Sequence, residues 1–119
     1  MWPSRLSAKQ RQGQGWEQFA LKHLCRQGLQ LVERNFSCKC GEIDLIMRDG
    51  AALVFVEVRQ REGRAHGGAA ASITPAKIRR IVGAAQTYLQ RFDQVPPCRI
   101  DVVAIDGEQL DWLRDAIQV

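Results

Sequence analysis

The sequence has no apolar run approaching the roughly 20 residues that cross a bilayer. Its opening stretch, MWPSRLSAKQRQGQG, holds neither an acid nor the apolar centre of a secretory signal. Both absences argue against a membrane-spanning or exported protein, and the expected compartment is the cytoplasm. A disulfide framework is missing as well. The 4 cysteines are scattered at Cys25, Cys38, Cys40 and Cys98, and Cys-x-Cys is not the usual spacing of a zinc site. A site joining Cys38 and Cys40 to His23 or His66 would be an unusual one, so the chemistry of the chain is expected elsewhere. No segment repeats.

What is present is a chain of 119 residues, 45% hydrophobic and 25% charged, the size and composition of one globular domain. Residues 1–12 read as a flexible basic tail and residues 13–119 as the domain. The formal charge of +4 hides an asymmetry, because residues 1–99 carry 16 of the 17 basic side chains and residues 100–119 carry five of the 13 acids. The basic part is mostly arginine, whose planar fork of donors suits phosphate, so nucleic acid is an expected partner.

A helix is predicted over about Trp16 to Gln27, closed by Gly28. Projected at 100° per residue, Trp16, Ala20, Leu21 and Leu24 share one side, and Glu17 falls in the middle of them, where a core residue belongs. LQLVERNF (29–36) reads as a strand and SCKC as a turn. Strands follow at 42–48 and 52–60, joined at Arg48-Asp49-Gly50-Ala51, with Asp-Gly a strong hairpin signal. Residues 62–72 form a Gly/Ala-rich loop. Thr74 as N-cap and Pro75 at the first helical position open a helix with Ile78, Ile81, Val82, Ala85, Tyr88, Leu89 and Phe92 on one side and Arg79, Arg80 and Arg91 on the other. CRIDVVAI (98–105) is a buried strand, and the acidic end of the chain is expected to be a short helix or tail. The order is helix, three strands, helix, strand: an α/β fold with a mixed sheet flanked by helices.

The hairpin GEIDLIMRDGAALVFVEVRQR (41–61) carries Glu42, Asp44, Glu57 and Arg59 inside otherwise apolar strands. Ionised groups are expensive to desolvate, so they need a reason to be there. With a two-residue tip at 49–50, Asp44 is expected opposite Phe55 and Glu42 opposite Glu57, with all four charges on one face. Asp44 and Glu57 are then diagonal neighbours, roughly 5.5–8 Å apart. Two carboxylates that close call for a cation, and Mg²⁺ accepts one or two carboxylates plus waters and substrate phosphates. The same four charges could instead be a solvated face with cross-strand ion pairs. Glu17 favours the first reading, because a solvated face gives no reason for an acid in the apolar stripe of another helix.

GEIDLI followed by LVFVEVRQR, preceded by GWEQFALKHLCRQGLQLVERNF and followed by AAQTYL and RIDVVAI, resembles the bacterial YraN-like family of predicted endonucleases, related to Holliday-junction resolvases within the PD-(D/E)XK nuclease superfamily. The resemblance spans about residues 13–106. It implies a restriction-endonuclease-like core and a metal-dependent endonuclease acting on DNA, with branched DNA among the candidate substrates. By position, Asp44 and Glu57 would bind Mg²⁺ or Mn²⁺ with the main-chain carbonyl of Val58, and Glu17 would assist. Arg59 stands where the family usually has lysine; it can position water or phosphate but cannot act as a base. Arg61 or Lys77 could substitute in part, and Arg61, Lys77, Arg79 and Arg80 are the expected contacts to nucleic acid. The alternatives are a non-catalytic nucleic-acid-binding module that keeps the fold, and a protein-interaction domain whose basic helix face is merely solvated. A homodimer would suit a resolvase.

Overall fold

The computed structural model describes residues 8–61 and 68–119, with side chains from residue 15 onward. The elements are α1 (Ala8–Arg26), β1 (Gln30–Cys38), β2 (Gly41–Asp49), β3 (Ala52–Arg61), a 3-10 turn (Ala70–Ser72), α2 (Pro75–Leu89), β4 (Cys98–Asp106) and β5 (Gln109–Ile117). They build one mixed sheet in the order β1-β2-β3-β4-β5, in which only β3 and β4 run parallel. The crossover between those two is α2, which gives the α/β architecture expected of a restriction-endonuclease-like core.

Each helix covers one face. Along β3, Leu53 and Phe55 pack with Ile81, Ala85 and Tyr88 of α2, whereas Val54 and Val56 pack with Ala20 and Leu24 of α1. This period-2 division explains why the β3 sequence is apolar on both sides: neither face meets water. The approach of α2 to the β1–β2 turn requires Gly41, since a Cβ there would lie 2.8 Å from the Arg80 Cβ.

Four expectations are corrected. Helix α1 starts at Ala8, so residues 8–12 of the expected tail are helical, while residues 1–7 lie outside the described residues. Gly13 and Gly15 cost helix stability without forbidding it, and Lys9, Gln10, Arg11, Gln12 and Gln14 are good helix formers. Within the expected 62–72 loop, residues 62–67 lie outside the described residues and Ala70–Ser72 form the 3-10 turn.

The hairpin register differs by two residues. Asp49 pairs with Ala52 and Leu45 with Val56, so the tip is Gly50-Ala51, with Gly50 at φ +60° in the first central position that type II′ turns reserve for glycine. The shift moves Asp44 from diagonal to level with Glu57, and the expected common face of the four charges does not extend to Glu42, because its neighbour Ile43 packs on the α2 side. Finally, the acidic end of the chain is not a helix or tail but β5. A second Asp-Gly turn begins it, with Gly107 at φ +62°, and Leu110 and Trp112 pack on the α1 side of the core.

Candidate active site

Strands β2 and β3 stop pairing after Leu45 and Val56. The next group on β3 that would seek a partner, the Val58 N–H, donates to Asp44 Oδ2 at 2.8 Å. Asp44 thus occupies the fork where the strands part. The backbone of β1 is also irregular at this level. Asn35, across from Asp44 in the register, adopts φ +54°, a left-handed conformation that asparagine tolerates. At this point β2 rotates: Ile43 packs on the α2 side and Leu45 on the α1 side, although strict alternation would place them together.

Glu57 lies beside this fork, 3% exposed at its side chain. Its Oε1 is buried and receives no N–H or O–H from the described residues. Burial, then the neighbouring Asp44 charge, pushes the Glu57 carboxyl up to about 8, with Lys77 and Arg59 opposing the rise. Burial also raises Asp44, offset by the Val58 N–H and by a hydrogen bond from Glu57. The pair therefore holds a proton at neutral pH, with the two carboxyls hydrogen-bonded to each other. Such a pair cannot hold two negative charges at close range without a cation.

The cationic groups come from two directions. Arg59 Nη1 is 3.8 Å from Glu57 Oε2, but its Nε and Nη2 donate to the Ser72 hydroxyl and carbonyl, each at 3.2 Å. Lys77 Nζ approaches the same Oε2 at 3.8 Å from the first turn of α2. Glu17 sits in the α1 stripe as expected. Its carboxyl is pushed up to about 7, chiefly by burial and then by Asp44, and Arg34 Nη2 lies 3.9 Å from it.

Other expected residues remain outside this group. Glu42 is exposed, though its charge adds to the rise of the Glu17 and Asp44 carboxyls; Arg61, Arg79 and Arg80 are exposed, and the ion pairs to the site carboxyls come from Arg34, Arg59 and Lys77 instead. Arg91 is engaged elsewhere, stacked 3.7 Å over the Tyr88 ring and paired with Glu33. His23 packs edge-on to Trp112 on the α1 side, whereas Cys40 faces Thr87 of α2 at 3.7 Å; His66 lies outside the described residues.

Among the described residues no three His, Cys, Asp or Glu side chains form a ready-made metal cage. The Asp44–Glu57 pair nonetheless fits Mg²⁺ or Mn²⁺. It offers hard oxygen donors, one of them buried and accepting from no N–H of the described residues, and a hard cation of this kind keeps most of its sites for water and phosphate.

A second buried acid serves as a comparison. Asp101 is fully buried, but its oxygens accept from Arg99 Nε at 3.0 and 3.2 Å, Trp112 Nε1 at 2.9 Å and the Asp115 N–H at 2.8 Å. Nothing in it is left for a ligand. An acid in an apolar strand, two residues from an arginine, is the same signal that marks the hairpin, so Asp101 is visible in the sequence but its role is not.

No helix in the described residues is long and apolar enough to cross a membrane. The sequence is 59% identical over 112 residues to a UPF0102 protein of Janthinobacterium sp. (strain Marseille), covering 94% of this chain and 91% of that one. It is 55% identical over 112 residues to a counterpart from Herminiimonas arsenicoxydans, covering 94% and 90%. Over 111 residues it is 60% identical to one from Cupriavidus taiwanensis, covering 92% and 84%. The sequence model described as "Uncharacterised protein family UPF0102" matches residues 16–105, the stretch that runs from the start of the α1 apolar stripe through β4 and so contains Glu17, Asp44, Glu57 and Lys77; the chain belongs to that family.

Proposed function

We propose that this protein is a metal-dependent phosphodiesterase acting on DNA, with branched DNA as the substrate to try first. The observation that carries the reading is the Asp44–Glu57 pair: a half-buried carboxyl beside a buried one, whose Oε1 accepts from no N–H, flanked by two cations. The other buried acid among the described residues, Asp101, is by contrast saturated with donors. The resemblance to PD-(D/E)XK nucleases supports the same assignment from the GEIDLI and FVEVR strings.

Bound Mg²⁺ or Mn²⁺ would lower the pKa of a water and neutralise phosphoryl charge. Asp44 and Glu57, with the Val58 carbonyl between Glu57 and Arg59 in the chain, would hold it. The Asp44 carboxylate is already aimed by the Val58 N–H, so its position is set before any ligand arrives. Glu17 would act through water. Arg59 places positive charge beside Glu57 while its fork stays on Ser72. Exposed Arg61, Arg79 and Arg80 would contribute salt-sensitive contacts to phosphates away from the reacting one.

Incubation of labelled duplex, single-stranded and four-way-junction DNA with the protein and Mn²⁺ or Mg²⁺ tests the reading. Cleavage that is abolished by chelator, by Asp44→Asn and by Glu57→Gln is the expected result. Cleavage surviving both substitutions sinks the site, and salt-sensitive binding without scission points to the non-catalytic module. A four-way junction presents two equivalent strands and calls for two copies of the chain, so sedimentation with and without the junction belongs in the same experiment.

A further inference from the structure

The two cations beside Glu57 are not equivalent, and the hydrogen bonds separate them. Arg59 belongs to a closed chain of contacts. Its guanidinium donates to Ser72 twice, the Ser72 hydroxyl donates to the Ala69 carbonyl at 2.6 Å, and the Ala69 N–H donates to Asp106 Oδ1 at 2.8 Å. That chain fastens the segment around the 3-10 turn to the ends of β3 and β4. With two of its donor positions committed, Arg59 cannot swing toward a substrate without releasing the turn.

Lys77 has no such commitment. Its backbone N–H is capped by Thr74 Oγ1 at 3.1 Å, which fixes the residue in the first turn of α2 after Pro75. A helical Cα–Cβ bond tilts toward the N-terminus, so the side chain is delivered back over the end of the helix, where Glu57 lies. Among the described residues its ammonium has one ion-pair partner, Glu57 Oε2 at 3.8 Å, and the side chain is 26% exposed. That distance is too long for a hydrogen bond. The ammonium is therefore a charge at the mouth of the site with its donors still available. The first turn of α2 contains no acid to compete for it.

We propose that Lys77 is the residue that touches the phosphate to be cleaved, and that Arg59 is the strap that holds the neighbouring turn. The assignment rests on the phosphodiesterase reading above and makes α2 a functional element as well as a crossover. The balance of the step is ordinary hydrolysis: a water oxygen forms the new bond to phosphorus, one P–O ester bond breaks, the proton of the water leaves to solvent, and the released alkoxide takes a proton from solvent. Lys77 gains and loses nothing in this sequence. It supplies charge where the non-bridging oxygens become more negative, as a preorganised donor would.

The test uses the full chain and the same labelled junction and duplex DNA with Mn²⁺, comparing wild type with Lys77→Met, Lys77→Gln, Lys77→Arg and Asp44→Asn. A residue that only balances Glu57 would be silent in substrate binding, so affinity for duplex DNA in chelator is measured as well. The expected result is a loss of about 100-fold or more in kcat for Lys77→Met and Lys77→Gln, partial recovery in Lys77→Arg, and several-fold weaker DNA binding by Lys77→Met without metal. Wild-type cleavage that Asp44→Asn abolishes but Lys77→Met and Lys77→Gln leave within about threefold overturns the role of Lys77 and spares the phosphodiesterase. Absence of cleavage by the wild type on every substrate overturns both. Unaltered DNA affinity of Lys77→Met in chelator also overturns the phosphate contact.

Discussion

Asp44 Oδ2 accepts the Val58 N–H at 2.8 Å, so one acid of the candidate site also closes the ladder that β2 and β3 leave open. This double duty separates two substitutions that sequence reasoning would treat alike. Asp44→Ala leaves a half-buried N–H without a partner, and a lost partner of this kind costs about 1–3 kcal/mol. Asp44→Asn keeps an acceptor. Both should lose Mn²⁺ binding by calorimetry, but only the alanine variant should show a clearly lowered midpoint in urea unfolding.

The Glu57 carboxyl makes stability depend on pH in a direction opposite to most acids. Burial and the Asp44 charge raise it from 4.5 to about 8 in the folded, metal-free protein. The folded state binds this proton more tightly than the unfolded chain does. Its contribution is therefore fully present below about pH 4.5 and is lost as pH rises through about 8. The size is on the order of a few kcal/mol across that window. Glu17, raised to about 7 mainly by burial, adds a smaller effect of the same sign. Denaturant unfolding in chelator should show stability falling from pH 5 toward pH 8 by about this amount, and Glu57→Gln should flatten most of the slope.

Metal binding must displace the same proton. At pH 7 the pair holds this proton, because burial and the Asp44 charge push the Glu57 carboxyl up to about 8. A cation that takes both carboxylates releases it, so Mn²⁺ binding should liberate close to one proton. Calorimetric titrations in two buffers of different ionisation enthalpy measure that number. Glu57→Gln should bind weakly and release none. A proton count near zero in the wild type would mean that the cation does not use Glu57.

The sequence shows the site more clearly than its geometry. Charge interrupting apolar strands marks Asp44 and Glu57, and helical projection marks Glu17, because both signals follow from the period of one element. The level placement of Asp44 and Glu57 depends on which two residues form the tip. Asp49-Gly50 and Gly50-Ala51 both satisfy composition, and the pairing of Asp49 with Ala52 decides for the second. The rotation of β2 at Asp44, opposite the left-handed Asn35 of another strand, appears in no pattern within the hairpin. Lys77 reaches Glu57 through a crossover of the chain, and no local period fixes where a crossover helix begins relative to the strand before it. Strand β5 has a signal of its own: Asp106-Gly107 repeats the hairpin signal of Asp49-Gly50, but the acids after it mask the alternation of Leu110 and Trp112.

Asp101 tests whether a buried acid in this sheet implies function. It lies on the strand paired with β3, but its side chain meets Trp112 on the α1 side, while Glu57 faces Lys77 of α2. Arg99 bridges it to Asp49 at 3.0 Å, so the acid ties the hairpin tip, β4 and β5 together. Asp101→Ala leaves an indole N–H and a backbone N–H without their acceptor and the Arg99 guanidinium with Asp49 alone, and each lost partner of this kind costs about 1–3 kcal/mol. That is a large share of the total stability of a domain this size. Asp101→Asn retains one acceptor oxygen and should cost less. Measured on the folded fraction, Mn²⁺ affinity of Asp101→Asn should match the wild type while its unfolding midpoint drops. Loss of Mn²⁺ binding in that variant would show that the two buried acids are coupled across the sheet, and that hydrogen-bond saturation does not separate a structural carboxylate from a functional one.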